Sequence, residues 1–169
     1  MIFRTLENVF AHELQDAYSA ETQLLDALPI MAQAADCGEL REAFESHLTE
    51  TRTQRDRVEQ ILSTLGHPAE GETCKAMKGL IKEGADIIEH HEQGVLRDVA
   101  LIAAAQRVEH YEIAVYGTAK ALAKHLGLDE AADLLDKNLD EEGNADNTLS
   151  KIAEGGWVVK GLNQEAASK

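Results

Sequence analysis

The stretch QRVEHYEIAVYG, residues 106–117, places charged side chains where the buried face of a helix normally carries leucines. Glu109, Glu112 and Tyr116 recur at spacings of three and four residues, which place side chains on one face of an α-helix. Apolar residues such as Ile102 and Ala119 continue the same face on either side. The sequence therefore predicts a bundle helix whose core-facing stripe is interrupted near its middle by two carboxylates.

The composition of the whole chain favours helices over strands. Its 169 residues include two prolines and 4% aromatic residues, and alanine, leucine, glutamate and glutamine are abundant. Straight-chain side chains lose little rotamer freedom in a helix, so we predict an all-α fold. The length is typical of one domain. We predict a single domain over residues 1–169, with a core from about 4 to 155 and a tail from 156 to 169.

The formal net charge of −15 predicts cations as binding partners. Nucleic acids and anionic membrane surfaces attract clusters of Lys and Arg, which this chain lacks, so we expect neither as a partner. Cys37 and Cys74 form no CxxC or CxxH pattern, which fits a reducing compartment and excludes a rubredoxin or zinc-finger module. No stretch reaches about 18 apolar residues, and the amino terminus has no signal-peptide pattern. We expect a cytoplasmic protein.

Four long segments carry apolar residues at helical spacing, with recognisable stop signals between them. We predict the four long helices at about 5–34, 39–65, 94–125 and 129–154. Gly66 and Gly127 are expected to end the second and third of these helices, because glycine readily adopts the conformation that follows a helix C-terminus. Pro29 lies inside the first helix and is expected to bend it or to split its last turns, since proline cannot donate the helical hydrogen bond.

The segment between the two pairs of helices is too long for a hairpin turn. Residues 66–94 contain Met77, Ile81 and Ile88 at helical spacing, flanked by glycines, which predicts a short additional helix. A hairpin, a long crossover and a second hairpin follow one another in a ferritin-like four-helix bundle. We predict that fold for this chain.

Every long helix interrupts its apolar stripe near its midpoint, and antiparallel helices of similar length bring their midpoints into one layer. The interrupting residues are Glu21 in the first helix, His47, Glu50 and Gln54 in the second, Glu109 and Glu112 in the third, and Glu142 and Asp146 in the fourth. Isolated buried carboxylates are costly, and like charges drive one another towards protonation. Because these stripes carry no Lys or Arg, metal ions are the remaining counter-charge, and two divalent ions would neutralise four carboxylates.

The donor set predicts a dinuclear metal centre that is rich in oxygen ligands. Bundles that hold two metal ions use a lone Glu from each of two helices and Glu-x-x-His from each of the other two. Glu21 and Glu109 supply the lone glutamates, but Thr53 and Ala145 occupy the positions of the motif histidines. The one available imidazole is that of His47. Such a set suits Fe or Mn better than Cu or Zn, and we predict two Fe ions, with Mn as the alternative.

Several of these side chains have a second interpretation. His47 could bind a metal or hydrogen-bond a neighbouring carboxylate, and Asp146 could bind a metal or orient a ligand. Gln54 is expected to support a ligand rather than to bind a metal itself. Tyr18 and Tyr116 could hydrogen-bond ligand carboxylates, relay an electron, or fill core volume with a satisfied hydroxyl.

Several segments of the chain resemble those of a bacterial protein family. LQDAYSAETQLL, CKAMKGLIKEG, LRDVALIAAAQRVEHYEIAVYGTAKALA and LDEEGNAD are similar to segments of the YciF-type stress-response proteins, a ferritin-like family, over roughly residues 1–155. EHYE also resembles the third-helix motif of rubrerythrins. The resemblance implies a ferritin-like bundle, a dinuclear metal site, a cytoplasmic setting and a homodimer, but no settled reaction. It also implies a metal-ligand role for Glu21, Glu50, Glu109, Glu112 and Glu142, which match ligand positions of the wider superfamily.

Three functions are compatible with these residues. The first is a di-iron oxidoreductase of a peroxidase or oxidase type, which activates dioxygen or consumes peroxide during stress. The second is metal binding or sequestration without turnover. The third is a structural or interaction protein whose polar layer is filled by water. Trp157 in the tail is a candidate contact of the homodimer.

Overall fold

The protein is an all-α bundle in the computed structural model, which describes residues 3–155 and 160–168. Over these residues the helices are α1 Leu6–Ala34, α2 Gly38–Thr64, α3 Lys75–His90, α4 Val95–His125, α5 Asp129–Glu154 and α6 Leu162–Ala166. The predicted fold class is confirmed, and the bounds of the long helices agree with the prediction to within about one residue. No helix in those ranges combines the length and hydropathy that a membrane span needs. Trp157 lies outside the described residues.

Local sequence signals account for where the helices begin and end. The hydroxyl of Thr5 accepts a hydrogen bond from the backbone N–H of Asn8 at 3.3 Å, which caps α1. Gly66 and Gly127 follow α2 and α4 with φ angles of 73° and 72°, a left-handed conformation that favours glycine. α1 continues through Pro29 to its last turn, so the proline does not split the helix.

The long helices form two hairpins that pack side by side. α1 and α2 are joined by residues 35–37, and α4 and α5 by residues 126–128, so each pair is antiparallel. α1 packs against α4 and α2 against α5, while α3 lies in the crossover against α1 and α4. The carboxylate of Asp98 accepts the backbone N–H groups of Asp36 and Cys37 at 3.0 and 2.7 Å, which ties the first hairpin to the start of α4. The predicted crossover with its short helix is present.

The hydrophobic core consists of two clusters with polar side chains between them. On α2, Leu40 and Phe44 belong to the first apolar cluster, whereas Val58 and Ile61 belong to the second. Buried polar residues, including His47, lie between these two pairs. The other long helices show the same arrangement. The midpoints of the four long helices therefore meet between two blocks of apolar packing.

Candidate metal centre

Polar side chains fill the space between the two apolar clusters, and none of them is more than 4% exposed. This polar layer comprises Glu21, His47, Thr51, Gln54, Glu109, Glu112, Asn138 and Glu142. All four long helices contribute, because each carries its polar residues near its midpoint. Burial on this scale removes every charged group of the layer from bulk water.

Four side chains of the layer bring their ligand atoms together. One imidazole nitrogen of His47 and one carboxylate oxygen each of Glu109, Glu112 and Glu142 lie within 4.8 Å of one another. These residues come from α2, α4 and α5. Imidazole nitrogen and carboxylate oxygen are the common protein ligands of iron and manganese ions. The cluster therefore has the donors and the spacing to hold a metal ion.

His47 contacts carboxylates through both ring nitrogens. Its Nε2 atom lies 3.5 Å from Oε2 of Glu109 and 3.7 Å from Oε2 of Glu142. Its Nδ1 atom lies 3.4 Å from Oε2 of Glu50. The contact at Nδ1 orients the ring, and Nε2 then faces the other two carboxylates without a hydrogen bond. A histidine oriented through one nitrogen in this way can present the other to a metal ion.

Two neutral side chains orient carboxylates of the layer. The Tyr116 hydroxyl donates a hydrogen bond to Oε1 of Glu21. The side-chain amide of Gln54 donates to Oε1 of Glu142 at 2.5 Å. Each contact satisfies one carboxylate oxygen and leaves the other, Oε2, without a partner. Glu21 and Glu142 are thus held by one oxygen and keep the other available for a ligand.

Burial and mutual repulsion raise the pKa values of the carboxyl groups in the layer. Burial, followed by the charge of Glu142, raises the pKa of Glu21 to about 8, although the Tyr116 hydroxyl opposes this change. Burial is also the main reason why the pKa of Glu109 is raised to about 8. The pKa values of Glu112 and Glu142 lie well above their ordinary value, again because of burial first. Without a counter-ion, some of these carboxyl groups are protonated at neutral pH.

Over the part of the chain that is described, most buried polar side-chain atoms without a hydrogen-bond partner lie in this layer. They include both oxygens of Glu112, one oxygen each of Glu21, Glu109 and Glu142, and Nε2 of His47. Buried polar atoms are normally hydrogen-bonded, because each unsatisfied group costs about 1–3 kcal/mol. Among the described residues, His47 is the only basic side chain within 4.0 Å of these carboxylates. These unpaired oxygen and nitrogen atoms therefore fit a bound cation that is not part of the chain.

Three of the predicted site residues lie at the edge of the layer or outside it. The side chain of Glu50 is 40% exposed. Asp146, whose side chain is 20% exposed, accepts a hydrogen bond from Gln106 at 3.1 Å. Tyr18 is half-buried against the second apolar cluster, and its hydroxyl makes no hydrogen bond within the described residues. A ligand role for Glu50 or Asp146 stays a prediction.

Asn138 belongs to the polar layer, although the sequence did not single it out. Its side-chain nitrogen donates to the backbone oxygen of Gln54 at 3.4 Å, and its side-chain oxygen accepts from Arg57 at 2.8 Å. Asn138 lies four residues before Glu142, so helical spacing would have placed both on one face. It links α5 to α2 beside the cluster of ligand atoms.

A second polar cluster fastens the crossover to the bundle. The thiol of Cys74, at the N-cap of α3, donates to Oδ2 of Asp16 at 3.2 Å and lies 3.0 Å from the Tyr111 hydroxyl. The Tyr111 hydroxyl donates to the same Asp16 oxygen at 2.6 Å. The backbone N–H of Cys74 donates to the hydroxyl of Ser19 at 2.9 Å. These contacts hold the start of α3 against α1 and α4.

The chain matches a known family over nearly its whole length. Residues 5–167 match the family described as Domain of unknown function (DUF892). The chain is also 44% identical over 170 residues to protein YciF of Escherichia coli K12, with 100% of this chain and 99% of YciF covered.

Solved structures share this arrangement of helices. The crystal structure of the E. coli stress protein YciF has a TM-score of 0.88 at 42% identity, covering 99% of this chain and 100% of that one. YcfI from Rhodopseudomonas palustris has a TM-score of 0.84 at 41% identity, covering 89% of this chain and 96% of that one. A protein from Xanthomonas campestris pv. campestris has a TM-score of 0.68 at 22% identity, covering 97% and 94%, which is a likeness of fold alone.

Proposed function

This chain belongs to the DUF892 family, and we propose that it is a stress-response protein that holds two iron ions in its polar layer. The main support is the set of ligand atoms that lie within 4.8 Å of one another, on His47, Glu109, Glu112 and Glu142. Each of these four side chains has a buried potential ligand atom without a hydrogen-bond partner. Glu21 adds one more such oxygen to the layer. Manganese is the alternative metal.

Charge balance supports two divalent ions rather than one. Glu21, Glu109, Glu112 and Glu142 carry four negative charges when ionised. The basic side chain of His47 contacts two of them, Glu109 and Glu142. Two divalent ions supply four positive charges, which would hold all four groups ionised despite their raised pKa values. A layer neutralised in this way no longer suffers the mutual repulsion of its carboxylates.

The types of donor support iron or manganese. The polar layer offers carboxylate oxygens and one imidazole, and its members include no cysteine. Hard and borderline ions prefer such a mixture, whereas thiolate ligands favour Cu(I) or Zn. Iron bound here would supply electron-transfer chemistry with dioxygen or peroxide, and on this basis we propose an oxidoreductase.

Residues around the ligands would support the ions and separate them from water at both ends of the bundle. Tyr116 and Gln54 each hold one oxygen of a carboxylate, so Glu21 and Glu142 need little reordering when a metal binds. The two apolar clusters enclose the layer from both ends of the bundle. The resulting low dielectric strengthens the attraction between carboxylates and cations.

The stress role is supported by similarity. The E. coli protein described as a stress protein, YciF, is 44% identical to this chain over nearly the full length of both. We extend its stress role to this chain, and we include a homodimer and a cytoplasmic location in the proposal.

Metal counting tests the proposed site. Protein purified without chelator is analysed for Fe and Mn beside a Glu112→Gln variant, which removes one charge and keeps the side-chain shape. We expect about two ions per chain, as in other dinuclear bundle sites, and about one or fewer in the variant. Glu59→Gln alters an exposed glutamate of α2 and should keep the wild-type count. A chain that binds neither ion, even after anaerobic reconstitution, would contradict the proposal.

Repeated turnover separates an oxidoreductase from a protein that only sequesters iron. Iron-loaded protein is mixed with hydrogen peroxide or dioxygen in the presence of a chemical reductant, and consumption of the oxidant is followed. Consumption that continues over many equivalents, and that is lost in Glu112→Gln, supports the oxidoreductase. A single oxidation of the bound iron that then stops would favour sequestration instead.

A further inference from the structure

One face of the bundle has a cleft that borders the polar layer. This cleft of about 90 Å³ lies between α2 and α5. Its walls include His47 and Glu109 of the layer, the half-exposed Glu50, and the smaller residues Ala145 and Thr148. A space of this size has room for a few water molecules, or for a metal ion with part of its hydration shell.

Two residues that line this cleft each have a buried ligand atom without a hydrogen-bond partner. These atoms are Nε2 of His47 and Oε2 of Glu109, which lie 3.5 Å apart on residues that are 4% and 3% exposed. Towards solvent, Oε2 of Glu50 lies 3.4 Å from Nδ1 of His47, and its side chain is 40% exposed. A line of potential ligand atoms therefore leads from the surface through Glu50 and His47 to Glu109.

We propose that this cleft is the entrance through which divalent cations reach the polar layer, and that Glu50 is the carboxylate that binds them first. Glu50 then passes the ion inward to His47 and Glu109 instead of remaining a ligand of the filled site. The proposal of this entrance depends on the metal site of the proposed function. It adds the path by which metal ions reach that site.

The residue at position 145 keeps this path open. Ala145 lies three residues after Glu142, where bundles with paired Glu-x-x-His motifs carry an imidazole. In this chain a methyl group lines the cleft at that position. The small side chain leaves space beside His47, and Glu50 on the facing helix supplies the anionic group at the surface.

The charge around the cleft favours cations over anions. All the residues that line it are described, and they include two glutamates but no lysine or arginine. The whole chain carries a formal net charge of −15. A cleft of one charge sign between low-dielectric walls concentrates ions of the opposite sign and raises their association rate. At both ends of the bundle, the apolar clusters separate the layer from solvent.

The rate of metal uptake tests this path separately from the amount of metal that is held. Metal-free protein is mixed with Mn²⁺, uptake is stopped with EDTA at timed intervals, and bound metal is counted after desalting. Ala145→Leu extends a larger apolar side chain into the cleft, and we expect uptake about tenfold slower with the wild-type final count. Ala131→Leu makes the same change at another partly buried alanine of α5, which lines a different cleft, and should load at the wild-type rate.

Glu50→Gln tests the first binding step without narrowing the cleft. The change removes the anionic charge and keeps the shape of a half-exposed side chain, so the fold should not be disturbed. We expect uptake about threefold to tenfold slower than wild type at low ionic strength. At about 1 M salt the two rates should converge, because screening removes the attraction of the carboxylate for the cation.

Four results would overturn the inference. Uptake by Ala145→Leu at the wild-type rate would exclude this cleft as the path, and so would a lower final count at an unchanged rate. A lower saturating count in Glu50→Gln would make Glu50 a resident ligand of the filled site. If the unmodified chain takes up no Mn²⁺ and no Fe²⁺ at any time, the proposed metal site itself fails and the entrance fails with it.

Discussion

Glu112 has both of its carboxylate oxygens buried and without hydrogen-bond partners. Burial, followed by the charges of Glu142 and Glu21, raises its pKa well above the ordinary value. The metal-free chain must therefore keep this group protonated or leave a buried charge uncompensated, and either state weakens the fold. A residue in this environment lowers the stability of the metal-free protein, as expected for a ligand without its metal.

We predict that Glu112→Leu stabilises the metal-free protein while it abolishes stabilisation by metal. Replacing an unsatisfied buried carboxyl group with an apolar side chain of similar size should raise the free energy of unfolding by about 1–3 kcal/mol. Thermal and urea unfolding of EDTA-treated protein measure this change. Glu59→Leu, at an exposed position of α2, should change stability by less than about 0.5 kcal/mol. A metal-free Glu112→Leu protein that is less stable than wild type would contradict the ligand role.

Tyr116 and Tyr18 were equal candidates in the sequence, and the structure separates them. The Tyr116 hydroxyl donates to Glu21, whereas Tyr18 packs at the edge of the second apolar cluster. We predict that Tyr116→Phe weakens metal binding about 10-fold to 100-fold, the usual cost of losing a group that orients a ligand. Titration with Mn²⁺ measures the affinity. Tyr18→Phe should bind metal as wild type does, and equal losses in both variants would show a packing effect rather than support of Glu21.

At the scale of the helices, the sequence predicted which faces are buried and that their polar residues share one layer, but not which of these polar side chains are fully buried in it. The bounds of α1, α2, α4 and α5 followed from apolar periodicity and from stop signals such as Gly66 and Gly127. Residues three apart differ in direction by about 60° around a helix, so periodicity could not decide that His47 is buried while Glu50 is half-exposed. The apolar pattern could not predict that Asn138 is buried, because its neighbour Leu139 also fits the apolar stripe of this helix.

The attachment of α3 could not be predicted, because it depends on contacts between residues far apart in the chain. Cys74 meets Asp16 across 58 residues, and Tyr111 meets the same carboxylate across 95 residues. Each of these three residues is unremarkable in its local sequence. Their convergence requires the packing of α3 on α1 and α4, which no local pattern specifies.

We predict that Tyr111→Phe loosens α3 without disturbing the polar layer. The variant removes the hydroxyl that donates to Asp16 and contacts Cys74, at a cost of about 1–2 kcal/mol. Amide hydrogen exchange over Lys75–His90 should become about tenfold faster, while exchange in the middle of α4 stays unchanged. Tyr18→Phe serves again as the control. Unchanged exchange in α3 would show that apolar packing alone holds this helix in place.

Across the whole molecule, the polar layer makes stability depend on pH. Unfolded glutamates release their protons near the ordinary pKa of 4.5, whereas folded Glu21 and Glu109 keep theirs to about pH 8. Between these values the folded chain binds more protons than the unfolded chain, so its stability falls as pH rises. His47 acts in the same direction, because neighbouring carboxylates outweigh the effect of burial and raise its pKa. Bound metal should reverse this dependence, since cations compete with protons for the same carboxylates.

We predict that the Tm of the metal-free protein falls by about 5 °C or more between pH 5 and pH 8. Saturating Mn²⁺ should raise Tm little at pH 5 and most at pH 8, because only the ionised layer binds it well. Calorimetry with and without Mn²⁺ at constant ionic strength measures both effects. Glu112→Leu should flatten the metal-free slope, whereas Glu59→Leu should not. A metal-free Tm that is constant or rises over this range would mean that the buried carboxyl groups are already ionised, with their charge compensated inside the bundle.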